Sequence, residues 1–147
     1  MQVTESWQKT AEPEPIAIAP PRMSMRKLIV TLFKLRVVSL LVLSSLGGAA
    51  LGTWAGGEAS PWILALLMVT GTLSAAGASA INQYLERERD TRMSRTAARP
   101  LATGQIESPT AVLWLAIGMI ALSMGLSLAF GNPALAFWLF MGAFIYV

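Results

Sequence analysis

An all-α, multi-spanning bundle of transmembrane helices is the fold class that this sequence predicts, and three observations predict it. Of its 147 residues, 54% are apolar and only 13% charged, a balance far from that of soluble domains. Its uncharged runs exceed the roughly 20 residues that cross a bilayer. Its eleven Lys and Arg residues fall in two places alone, before the first run and between the second and third. Readings as a soluble enzyme or a nucleic-acid binder drop out on this composition. With neither cysteine nor histidine, the chain has no disulfide framework, no thiolate or imidazole metal site and no histidine base. Any metal must therefore sit on oxygen.

The elements follow in chain order. Residues 1–24 carry Glu5, Glu12 and Glu14 among Pro13, Pro15, Pro20 and Pro21, which buries too little surface to fold, so a flexible tail is expected. It contains no apolar core with a cleavage site, and its acids argue against a mitochondrial transit peptide, which favours a bacterial or archaeal origin. Residues 25–147 read as one intramembrane domain. Arg26, Lys27, Lys34 and Arg36 make a basic approach to the membrane, with 28–33 expected at the interface. The first span is expected over 37–57. The turn at Gly56, Gly57 and Glu58, followed by Pro61 in the first turn of a new helix, makes a hairpin with a second span over 61–85. That second uncharged run is longer than a bilayer requires, so its last turns should emerge among headgroups or line an aqueous cavity. A third span is expected over 109–130, ended by Gly131, Asn132 and Pro133. The fourth, over 134–147, has 14 residues, which reach about 21 Å against a hydrocarbon core of roughly 30 Å. The chain is accordingly expected to be the amino-terminal part of a longer protein. Gly48-x-x-x-Gly52 and the small residues of 74–80 are expected to be helix-packing surfaces.

Charge sets the expected topology. Lys9, Arg22, Arg26, Lys27, Lys34 and Arg36 precede the first span, and Arg87, Arg89, Arg92, Arg95 and Arg99 lie between the second and third. By the positive-inside rule the amino terminus and the 86–107 segment face the cytoplasm, and the other two connections face outward, with Trp54 and Trp62 as interfacial anchors. Topogenesis alone would account for five arginines in one loop.

Chemistry concentrates where the second span emerges. Asn82, Glu86 and Asp90 recur at i, i+4 and i+8, so on a continuing helix their oxygens form one stripe about 12 Å long. Hard cations take such a stripe: magnesium binds through one or two carboxylates together with phosphate oxygens and water. Arg95 and Arg99, four residues apart, could clamp phosphates bidentately, and Pro100 should turn the chain toward the next span. The same charges also read as surface ion pairs, Glu86 with Arg89 and Asp90 with Arg87. Glu88 lies off the stripe and is expected to be solvated. Asn82, beside a run of small residues at the end of an apolar span, calls for a polar partner.

The spacing of Asn82, Glu86 and Asp90, followed by Arg95-Thr96-x-x-Arg99-Pro100-Leu101-x-x-Gly104, resembles the UbiA superfamily of intramembrane prenyltransferases over residues 30–147. Gln83 and Met93, with Lys34-Leu35-Arg36 before the first span, are similar to the branch that farnesylates haem b, although Leu35 stands where that branch usually has proline and Glu86 where aspartate is commoner. The resemblance implies a bundle of about nine helices, of which this chain holds three spans and part of a fourth, with a second acidic motif beyond it. It implies a magnesium-dependent enzyme in a bacterial inner membrane that transfers a farnesyl group from farnesyl diphosphate to a vinyl group of haem b, making haem o. In that scheme Asn82, Glu86 and Asp90 hold the metal and are the catalytic residues, and Arg95, Arg99 and Arg36 bind the diphosphate. The partners implied are the two substrates, the lipid bilayer and a haem a synthase receiving the product, with no nucleic acid. The fragment alone is expected to be inactive. A UbiA-type enzyme with a quinone or chlorophyll-precursor acceptor stays open, and more distantly a transporter or assembly factor.

Overall fold

The computed structural model describes residues 23–58 and 60–147, so all of the expected tail but its last two residues lies outside the described residues. Everything regular in them is helical: α1 (Met25–Leu32), α2 (Leu35–Trp54), α3 (Pro61–Asp90), α4 (Pro109–Ala129) and α5 (Pro133–Tyr146). Three of these, α2, α3 and α4, are long and apolar enough to cross a membrane, and α5 is shorter. The chain is a membrane protein of the all-α class.

Local chemistry accounts for the breaks. Ser24 caps α1 by accepting from the Lys27 amide at 3.4 Å. Pro61 and Pro133 open α3 and α5 with Ser60 and Asn132 as side-chain caps. Gly56 and Gly131, at φ +94° and +73°, supply the left-handed turns that end α2 and α4. No glycine stands between α1 and α2. There Lys34 itself takes φ +45° and the chain bends, so the expected interfacial stretch is a helix of its own.

α3 is the hub and contacts all four other helices, whereas the backbone of α2 approaches only α1 and α3 among the described residues. The expected packing run behaves as such. A Cβ on Gly77 would lie 2.8 Å from the Ala116 carbonyl oxygen and 2.9 Å from Ile120 Cγ1, so α3 and α4 meet there nearly backbone to backbone. The expectation for Gly48 and Gly52 is not met among the described residues, since nothing lies within 4 Å of a Cβ on either. The motif permits close approach but supplies no partner. Near the 86–107 end, Leu32, Ala80, Leu101, Val112 and Ala116 form a small core joining α1, α3, α4 and the α3–α4 connection. At the opposite end, Trp62 and Phe130 meet edge to face at 5.2 Å.

Candidate functional site

The site grows out of the length of α3. Its 30 residues at 1.5 Å each make about 45 Å, well beyond a hydrocarbon core of roughly 30 Å, and Glu86 and Asp90 lie in its final two turns. Residues 91–108 return as successive turns rather than as a helix. Thr96 donates from its amide to Met93 O at 3.0 Å and from its hydroxyl to Asp90 O at 3.4 Å, and Thr103 donates to Arg99 O from its amide at 2.9 Å and its hydroxyl at 3.1 Å. Pro100 and Leu101 are buried against the core. Plugging those two residues inward folds the connection back on α3 and aims the preceding side chain at the acidic stripe.

Arg99 is that side chain. Its Nη1 donates to Asp90 Oδ2 at 2.7 Å and to Glu86 Oε2 at 3.1 Å, so both carboxylates converge on one nitrogen. The Asp90 side chain is 5% exposed, Glu86 41% and Arg99 20%. Burial pulls the Arg99 pKa down, but the hydrogen bonds and charges of Asp90 and Glu86 outweigh it and leave the pKa above its ordinary value. The guanidinium is a permanent cation in this setting. The pairs expected between Glu86 and Arg89 and between Asp90 and Arg87 do not form. Arg87 instead lies 3.5 Å from the Glu88 carboxylate, with its guanidinium 4.4 Å from the Tyr84 ring centroid.

The other expected site residues are placed less tightly. Asn82 is half-buried on the same helix, one turn before Glu86, and its side chain makes no hydrogen bond among the described residues. Arg95 is exposed and pairs with no carboxylate among them. Arg36 is exposed in the first turn of α2, well apart in sequence from the acidic stripe. No group of three or more acidic side chains converges among the described residues. The donor set is therefore two carboxylates, with one amide a turn away.

Two buried features escape a reading of spacing. Gln83 is 1% exposed, and its Nε2 donates to Leu32 O at 2.6 Å and Thr31 O at 3.0 Å, closing the carboxyl end of α1 with a side chain from α3. A glutamine inside an apolar run was the available signal. The second feature is an apolar crevice of about 260 Å³ between α2, α3 and α5, walled by Val38, Leu41, Ala78, Leu139 and Ala143. Ser74 Oγ donates across it to Leu139 O at 3.2 Å, and Lys34 and Tyr146 lie at one end.

Residues 40–147 match the UbiA prenyltransferase family. Protoheme IX farnesyltransferase 1 of Pseudomonas fluorescens is 36% identical over 126 residues, covering 85% of this chain and 40% of that protein. Protoheme IX farnesyltransferase of Sulfurisphaera tokodaii is 39% identical over 127 residues, 83% of this chain and 41% of the relative. That of Stutzerimonas stutzeri is 41% identical over 115 residues, 78% and 37%. The chain thus spans about 40% of the length of the relatives it matches. No solved structure matches. With most of its length inside one family, and relatives so named across bacteria and an archaeon, the chain belongs to the UbiA prenyltransferases.

Proposed function

We propose that the chain is the donor-binding part of an intramembrane enzyme that transfers a farnesyl group from farnesyl diphosphate to a vinyl group of haem b, giving haem o for a haem a synthase to receive. The observation that carries it is the convergence of Glu86 and Asp90 on a single cation at the emerging end of α3, with an apolar crevice running along the same helix. The names of the relatives support the acceptor and the prenyl length.

The donor set fits magnesium, because all its groups are oxygen and two carboxylates already share one cation, leaving other coordination positions to phosphate oxygens and water. Glu86 and Asp90 would hold the ion, with Asn82 as a further oxygen. Bound there, the ion supplies neutralisation of the departing diphosphate. Arg95, and Arg99 once turned from its carboxylates, bind diphosphate oxygens in a planar fork, and Arg36 adds charge from α2. The apolar walls seat the prenyl chain and exclude water from the allylic carbon as its C–O bond breaks. The vinyl group of haem b forms the new C–C bond, and water then adds to the resulting cation with loss of a proton. In this reading the amino terminus and the 86–107 segment face the cytoplasm of a bacterial cell.

The test is substitution in full-length protein carrying this chain, with haems extracted from membranes lacking any other haem o source. Glu86→Gln and Asp90→Asn should each lower haem o by at least about a hundredfold at unchanged membrane level, and Glu88→Gln should leave it within about twofold of wild type. Near-normal haem o in either of the first two would overturn the assignment. A prenylated quinone precursor in place of haem o would move the acceptor and keep the site.

A further inference from the structure

Among the described residues Lys34 is the one non-glycine with a positive φ, at +45°. A lysine has no side-chain group to offset the steric cost of the left-handed region, which disfavours it. Its neighbours hold it there. Leu32 O accepts from Gln83 Nε2 at 2.6 Å and Ser79 Oγ at 3.4 Å, while Lys34 O accepts the Val37 and Val38 amides at 2.7 and 3.1 Å to start α2. Three side-chain bonds from α3 thus over-determine the bend, the circumstance in which an outlying backbone points to function rather than accident.

The bend aims the ammonium. Lys34 Nζ reaches the mouth of the crevice, 3.2 Å from the Tyr146 hydroxyl and 5.7 Å from its ring centroid, and no carboxylate among the described residues pairs with it. Arg36, two residues on, is exposed and lines no part of that crevice. Ser79, which bonds the same bend, precedes Glu86 by two helical turns, or about 10 Å along the axis. Lys34 therefore marks the border between the acidic stripe and the apolar slot, where the polar end of an amphiphile meets its chain.

We infer that Lys34, with the Tyr146 hydroxyl, binds the anionic phosphate end of an isoprenoid lying in the crevice, and that at the α1–α2 junction Lys34 grips the ligand more strongly than Arg36. The inference rests on the proposed donor reading and adds a binding residue to it. The ammonium donates to a phosphate oxygen as a compact point charge, and Tyr146 donates its hydroxyl proton to a neighbouring oxygen.

The test is equilibrium binding of farnesyl thiodiphosphate, which does not react, to full-length protein carrying this chain in lipid nanodiscs, with farnesol as the uncharged control. Lys34→Asn removes the charge while keeping a residue that tolerates the left-handed region, and thermal unfolding checks its fold. It should weaken thiodiphosphate binding by at least about tenfold and leave farnesol binding unchanged. Lys34→Arg should restore part of the loss, and Arg36→Gln should weaken binding less than Lys34→Asn. Equal binding by Lys34→Asn and wild type, or equal losses for thiodiphosphate and farnesol, would overturn the inference alone. Failure of wild type to bind thiodiphosphate would overturn the donor reading with it.

Discussion

The 18-residue apolar stretches of α2 and α3 carry the same mean hydropathy, yet 44% of that of α3 is buried within the protein against 6% of that of α2. The difference lies in side-chain size and in polar groups with somewhere to go. α3 presents Ser74, Ala76, Gly77, Ala78, Ser79 and Ala80 as one buried run, small enough for α4 to close on its backbone. α2 presents leucines and valines outward, and only Val38 is buried. Hydropathy measures whether a helix belongs in a bilayer. Which face another helix covers is decided by small residues, and then only where a partner is present.

The largest effect that sharpens this contrast is at the glycines. Gly77→Ala forces a methyl against the Ala116 carbonyl and should destabilise the protein by about 1–3 kcal/mol, whereas Gly48→Ala and Gly52→Ala, facing open space among the described residues, should be neutral within about 0.5 kcal/mol. Unfolding in mixed micelles measures all three, and equal costs at Gly77 and Gly48 would break the comparison.

Next comes the link between α3 and the junction that leads into α2. Gln83→Leu strips the carbonyls of Thr31 and Leu32 of their shared donor and should weaken the junction by about 1–3 kcal/mol. It is read as faster hydrogen exchange across α1 with exchange in the α3–α4 contact unchanged. Uniform acceleration through all helices would mean that Gln83 supports the whole bundle rather than this junction.

The smallest effect concerns the tryptophans at the far end. Trp62→Ala loses the edge-to-face contact with Phe130 and should cost about 0.5–1.5 kcal/mol, while Trp54→Ala, at a position 90% exposed, should leave unfolding unchanged. A greater loss at Trp54 would show that its membrane anchoring outweighs the packed pair.

Much of this was legible in the chain, and the failures have physical causes. The spans could be read because the length of an uncharged run is a local property, and the common face of Asn82, Glu86 and Asp90 because a helical period is local too. The left-handed turn at Lys34 could not be, since nothing in that residue favours it and Gln83 and Ser79, some 45–50 positions later, impose it. Nor could the target of Arg99, which depends on Pro100 and Leu101 finding the core beneath α1 and α4. Gly48-x-x-x-Gly52 failed in the opposite sense: a local pattern was present and no described helix met it.

The pairing of Arg99 with Glu86 and Asp90 also sets the local charge at the carboxylate pair, inside an 86–107 segment whose five arginines outnumber its four acids. Two carboxylates sharing one guanidinium leave an excess of one negative charge on these three side chains, which keeps a diphosphate drawn in by the neighbouring arginines from settling on the pair itself. In the proposed function a divalent cation would carry the same three side chains to an excess of one positive charge, and repulsion would become attraction. On that proposal the order of arrival would be a matter of electrostatic sign, with metal preceding or accompanying the anion.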